Sequence, residues 1–146
     1  MAYLLVLFAL LAGVSLPVQA GVNAALARGV GRPEWAGVVS FAVGLVGIAA
    51  YALVSRARVP TTAELAGIPG WAWTGGLIGA FYVTSVILLT PRLGLALTMG
   101  FAVAGQLVGA LVLDQIGAFG LDARPVTLSR AVGVVLLVVS VLLIRR

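Results

Sequence analysis

The 146-residue chain has no cysteine, no histidine and no lysine, and only four carboxylates, Glu34, Glu64, Asp114 and Asp122. The absence of cysteine removes any disulfide framework. Together with the absence of histidine it removes a zinc ligand set and any thiol or imidazole catalyst. Charged residues make up 9% of the chain, against roughly 25% in soluble domains, so an ordinary soluble domain is excluded. The nine arginines give a net charge of +5, but they are spread between apolar runs. Nucleic-acid binding needs them gathered on one face or stretch, so nucleic acid is not an expected partner. No glycine-rich phosphate loop is present, and neither ATP drive nor another cofactor is expected.

What the chain has instead is length in its hydrophobic runs. Hydrophobic residues account for 62% of it and the mean hydropathy is +1.22. A helix needs about 20 apolar residues to cross a ~30 Å hydrocarbon core. Five segments meet or approach that length: 3–27, which carries no charge, 35–54, 71–90, 93–113 after a Pro91-Arg92 turn, and 126–144. The last is the weakest, because only 131–144 is uninterrupted and Arg130 must reach the interface by snorkelling. The expected fold is therefore all-α: a polytopic membrane protein whose residues 1–146 form a single domain of five transmembrane helices. A signal-peptide reading of the apolar start, with Val18-Gln19-Ala20 as its cleavage site, lacks a basic n-region, and the run continues to Ala27. The connections are short and hold turn formers, among them Gly29, Gly31, Pro33, Pro60 and Pro69, and cannot bury a soluble core. Trp35, Trp71 and Trp73 fall at span ends, where aromatic rings anchor at headgroup level.

An odd number of spans puts the termini on opposite sides, so each arginine can be assigned to a side. The N-terminal side receives Arg56, Arg58, Arg124 and Arg130, and the other receives Arg28, Arg32, Arg92, Arg145 and Arg146, a score of four against five. Since the Lys/Arg difference between short loops sets orientation, a difference of one gives almost no instruction. The balance points to insertion in both directions and to an antiparallel dimer, or to a sister chain of opposite bias, the two-chain version of an inverted repeat.

The polar residues within the spans are few. Ser15, Gln19 and Asn23 recur at four-residue steps on one stripe of the first span, and Pro17 among them removes a backbone donor. Such a stripe serves either as helix-to-helix glue or as the lining of a cavity. Tyr82, Thr84 and Ser85 add hydroxyls on the third span, and Gln106 lies on the fourth. Asp114, at the end of that span, is the coupling candidate, with a solvated interfacial acid as the plainer reading. Small residues repeat at helix-packing spacing: Ser40/Gly44, Gly75/Gly79, Gly100 with Ala96 and Ala104, and Gly105/Gly109. The substrate-cavity candidates are thus Ser15, Gln19, Asn23, Tyr82, Ser85 and Gln106. Counting 1.5 Å per residue, Asn23 lies about 12 Å beyond Ser15, in the leaflet opposite to that of Gln106 and Asp114. An inverted partner would bring its Gln19 and Asn23 to the level of Gln106 and Asp114, building one polar cavity in trans. No acid–base pair lies within the spans, so no enzyme activity and no metal site are expected.

The stretches PVQAGVNAALARGVGRPEWAGVVSFAVG and GAFYVTSVILLTPRLGLALTMGFAVAGQLVGALVLDQIGAFG, with the closing RAVGVVLLVVSVLLIRR, resemble the YdcZ-like inner-membrane exporter family of the drug/metabolite transporter superfamily. The resemblance covers nearly the whole chain, and its most specific part is the pattern of Gly105-Gln106, Leu113-Asp114 and Gly117 to Gly120. It implies five spans in the bacterial inner membrane, and a family in which single genes, paired genes and fused inverted halves occur. It implies transport without naming a substrate. Similar small multidrug exporters rely on a glutamate in the first span, where this chain has only Ser15, Gln19 and Asn23. Asp114 would then take the coupling role, or coupling is absent. The expected partners are the bilayer, a second copy or a sister chain in inverted orientation, and a small polar or amphipathic molecule. A dual-topology ion channel and an accessory subunit that needs a sister chain are the rival readings.

Overall fold

The computed structural model describes residues 2–144. Arg145 and Arg146, two of the arginines in the orientation count, lie outside the described residues. Six α-helices follow in order: α1 Ala2–Val30, α2 Pro33–Val54, α3 Thr62–Ala66, α4 Gly75–Leu93, α5 Leu95–Ile116 and α6 Leu128–Ile144. A 3-10 turn, Gly70–Thr74, leads into α4, and no strand occurs among the described residues. Tyr3–Val30, Pro33–Val54, Gly70–Leu93 and Leu95–Ile116 are each long and apolar enough to cross a membrane, while Leu128–Ile144, at 17 residues, is shorter.

The helices break where glycine can adopt a left-handed backbone. Gly31, at φ +75, closes α1, and its N–H donates to the Ala27 carbonyl at 2.9 Å. Arg32 is extended and Pro33 opens α2 at its first helical position, where the missing N–H costs nothing and the fixed φ suits the helix. The expected loop from Arg28 to Glu34 thereby shrinks to two residues, Gly31 and Arg32. The expected Pro91-Arg92 turn also moves: both residues stay in the last turn of α4, and the break falls at Gly94, φ +81. A proline that late in a helix removes one hydrogen bond, whereas a left-handed residue ends the ladder.

The chain forms two compact units that part between Pro91 and Arg92. In the first, α1 packs against α2, and the buried positions there are small: Ala20, Ala24, Ala36 and Gly37. From α4, Val86 and Ile87 are buried with them. A Cβ on Gly37 would lie 3.8 Å from Thr84 Oγ1, and one on Gly79 would lie 3.9 Å from the Phe41 ring, so α2 and α4 approach across glycine. In the second unit α5 packs against α6, with Thr98, Ala104 and Val141 buried. The buried Thr98 satisfies its own hydroxyl on the Gly94 carbonyl at 2.8 Å.

Large apolar side chains line the outside of both units, from Tyr3 and Phe8 on α1 to Leu143 and Ile144 on α6. Contiguous apolar surface on this scale does not persist in water. Hydrocarbon covers it without a penalty, because each helix satisfies its own backbone groups.

Candidate functional site

In the first unit, Asn23 is the buried polar residue of α1, 4% exposed. Together with Gln19 and Tyr82 it lines a cavity of about 10 Å³, closed by Leu16, Ala20, Val83 and Val86. That is close to the space one water occupies. The Asn23 carboxamide has no hydrogen-bond partner among the described residues, and the same holds for the side chains of Gln19 and Tyr82. One water there can satisfy the carboxamide; the side-chain atom that is sealed and unpartnered among the described residues is Thr90 Oγ1. Gln19 and Val83 also border a second, open groove of about 330 Å³ that runs along Ser40, Phe41, Gly44, Leu45 and Ile48. The expected stripe on α1 is thus divided: Gln19 and Asn23 reach the cavity, whereas the exposed Ser15 donates to the Ala12 carbonyl at 2.7 Å in its own helix. Ser85, three residues beyond Tyr82 on α4, is half-buried.

In the second unit the carboxylate of Asp114 is engaged. It accepts from Arg130 Nη2 at 2.7 Å, and both side chains are about a third exposed, 34% and 35%. Its backbone carbonyl accepts from the Arg124 N–H at 2.8 Å, and the neighbouring Gln115 side chain accepts from the Val126 N–H at 2.6 Å. These bonds tie the 117–127 segment across the end of α5 and bring the start of α6 to it. The turn itself depends on left-handed residues, Gly117 at φ +59, Phe119 at +60 and Gly120 at +79. At Gly117 a Cβ would come within 2.9 Å of the Leu121 carbonyl oxygen. Arg130, expected to reach the interface by snorkelling, pairs with Asp114. Gln115 escaped the sequence reading; its signal was a second polar residue beside Asp114 at the end of an apolar helix. Asp114 and Arg130 share a groove of about 370 Å³ with Leu107, Ala110, Leu111, Gly133 and Val134. Gln106 is exposed on α5 with no partner among the described residues.

The packing glycines divide as well. Gly100 is in tight contact, since a Cβ there would meet Val141 Cγ2 at 3.0 Å, and Gly79 faces Phe41. Gly44, Gly75, Gly105 and Gly109 have open space at the Cβ position, and Ser40 lines the open groove. The three tryptophans are more than half exposed.

Membrane-length apolar helices with a largely apolar exterior define a multi-pass helical membrane protein. The family model described as "Putative inner membrane exporter, YdcZ" matches residues 4–143, and the chain belongs to that family and to the inner membrane. It is similar to the inner membrane protein YdcZ of Escherichia coli (strain K12), 36% identical over 76 residues, which cover 52% of this chain and 50% of that protein. The matched stretch thus spans about half the length of that relative. No solved structure matches the chain.

Proposed function

We propose that the chain is a subunit of a small inner-membrane exporter that moves small polar or amphipathic metabolites or drugs by alternating access, as an antiparallel dimer. In this reading 1–146 is one transmembrane domain and α6 is its fifth span, since 17 residues rise roughly 26 Å and the bilayer can thin or Arg130 snorkel at its margin. The observation that carries the reading is the buried, unpartnered Asn23, which shares a small cavity of the first unit with the exposed Gln19 and the half-buried Tyr82. Intramembrane polar residues that fold-level packing does not satisfy mark substrate paths. The inverted partner is supported by the balance of arginines and by Gln106, whose exposed amide needs cover inside a bilayer. In that dimer, Gln19 and Asn23 of one chain and Gln106 and Asp114 of the other contribute to a shared midplane path.

The test is counterflow in proteoliposomes. Vesicles are preloaded with an unlabelled solute and given the labelled form outside, across a panel of aryl glycosides, aryl amides and aromatic ammonium ions of low permeability. Transient accumulation of label above equilibrium, saturable and lost in Asn23→Leu, is expected for at least one solute. Flux that equilibrates without overshoot identifies a channel instead. No flux for any solute, restored by an oppositely oriented sister chain, identifies an accessory subunit.

A further inference from the structure

The cavity and the groove of the first unit share a wall. Gln19 and Val83 line both, so the polar cavity of Asn23 and Tyr82 lies directly against a mainly apolar trough of Ser40, Phe41, Gly44, Leu45 and Ile48. We propose that this is one binding site for an uncharged amphiphile: a single hydroxyl oxygen, or the carbonyl oxygen of a ketone or amide, takes the place of a water against Asn23, Gln19 and Tyr82, and the apolar body lies in the trough. The inference rests on the transport reading above and adds to it the class of substrate.

The chemistry of the lining sets that class. Asn23 and Gln19 each offer an N–H donor and a carbonyl acceptor, and Tyr82 offers one of either kind. Three polar partners meet the two to four that one small neutral group requires. A permanent cation finds no carboxylate here, because none of the chain's four acids lines either cavity. A permanent anion finds no arginine. Stripping such an ion of water against neutral partners in an apolar surround is not repaid by the hydrogen bonds available. The inner cavity of about 10 Å³ admits about one heavy atom, a hydroxyl oxygen or the carbonyl oxygen of an amide, and the trough of about 330 Å³ admits a ring. Asn23 makes the strongest single case, since the residue is more than nine-tenths buried, unpartnered among the described residues and lines the cavity.

Three probes with the same phenyl body separate the possibilities: benzamide, benzyltrimethylammonium and benzoate. Each is titrated calorimetrically into the full-length protein in nanodiscs, with empty nanodiscs subtracted for partitioning. Saturable benzamide binding is expected, with both ions weaker by about tenfold or more, which corresponds to ~1.4 kcal/mol. Asn23→Leu is expected to weaken benzamide by a similar factor, while Ser140→Ala, on α6 and bonded within its own helix, leaves it unchanged. Asn23→Asp supplies a gain that misfolding cannot imitate, because a carboxylate in the cavity should bring benzyltrimethylammonium to equal or better binding than benzamide. The proposal is overturned if no benzamide binding saturates, if either ion binds as well as benzamide to the unsubstituted chain, or if Asn23→Leu changes nothing. Benzamide binding without counterflow of any solute removes the transport reading and leaves the site. Counterflow of ions with no benzamide binding does the reverse.

Discussion

Asp114 and Arg130 show how much a single residue's meaning depends on its neighbours. A lone carboxylate at a span end invites a coupling role, but its side chain is held at 2.7 Å by Arg130 and its carbonyl by Arg124. The ion pair also fastens the start of α6 to the end of α5. Since both side chains are about a third exposed, solvent screens the attraction, and the coupling energy in a double-mutant cycle of Asp114→Asn and Arg130→Gln is expected near 1 kcal/mol. Thermal unfolding of the detergent-purified chain measures it, and strictly additive losses would show that the pair contributes nothing. Glu64 offers a second residue-scale check. Its carboxyl is held below the usual glutamate range, first by the Thr61 backbone N–H, then by the Arg58 guanidinium and the Thr61 hydroxyl. A depressed pKa in the fold means that the contribution is present above the unfolded value and lost as pH falls through the folded one. The Thr61 amide resonance is expected to titrate with a midpoint below the usual glutamate range, and Arg58→Gln should move that midpoint upward. Neither partnership was legible beforehand: Arg130 and Arg58 were counted as interfacial charges, because spacing along a chain does not say which loop folds back on which helix end.

At the scale of elements, hydropathy located the helices well and their ends less well. Runs of apolar residues betray a span by length alone, whereas the ends follow from single left-handed glycines that composition does not distinguish from packing glycines. Gly31 and Gly94 are of the first kind, Gly100 of the second. The small-residue pattern on α5 predicted close approach without naming a partner, and the structure assigns Val141 of α6 to Gly100 alone. Gly100→Ala must therefore push Val141, buried at 3% exposure, at an expected loss of roughly 1–3 kcal/mol. Val141→Ala in the same chain should recover most of it, because the added methyl then fills the space the valine leaves. Gly105→Ala, with nothing within 4 Å of its Cβ position, should leave the unfolding midpoint of the monomer unchanged. A Gly105→Ala loss as large as that of Gly100→Ala would mean that intrachain packing does not set these costs. The same limit applies to the site: Gln19, Asn23 and Tyr82 all stood out as cavity candidates, but that Tyr82, with Val83, meets Gln19 and Asn23 while Ser15 and Gln106 do not depends on how the helices pack.

For the whole molecule, the decisive quantity is the distribution of nine arginines over an apolar surface. Orientation is set by differences between short loops, and here the difference is one residue if α6 completes a fifth span. On the proposed reading a chain so balanced inserts without preference, and two copies of opposite orientation cover one another's exposed polar groups, Gln106 among them. The absence of native cysteine makes this measurable directly. A single cysteine placed at Ala2, or separately at Arg146, is expected to react about half from outside with an impermeant thiol reagent on intact cells, and fully after permeabilisation, since equal populations follow from an orientation bias near zero. Adding two arginines to the 56–58 loop should shift labelling at both positions toward one side, in opposite senses if the span number is odd and in the same sense if α6 does not cross. Labelling of the unsubstituted chain from one side only would remove the homodimer of inverted copies. Opposite sidedness of Ala2 and Arg146 in that case would still establish five spans, leaving an oppositely oriented sister chain as the partner that covers Gln106.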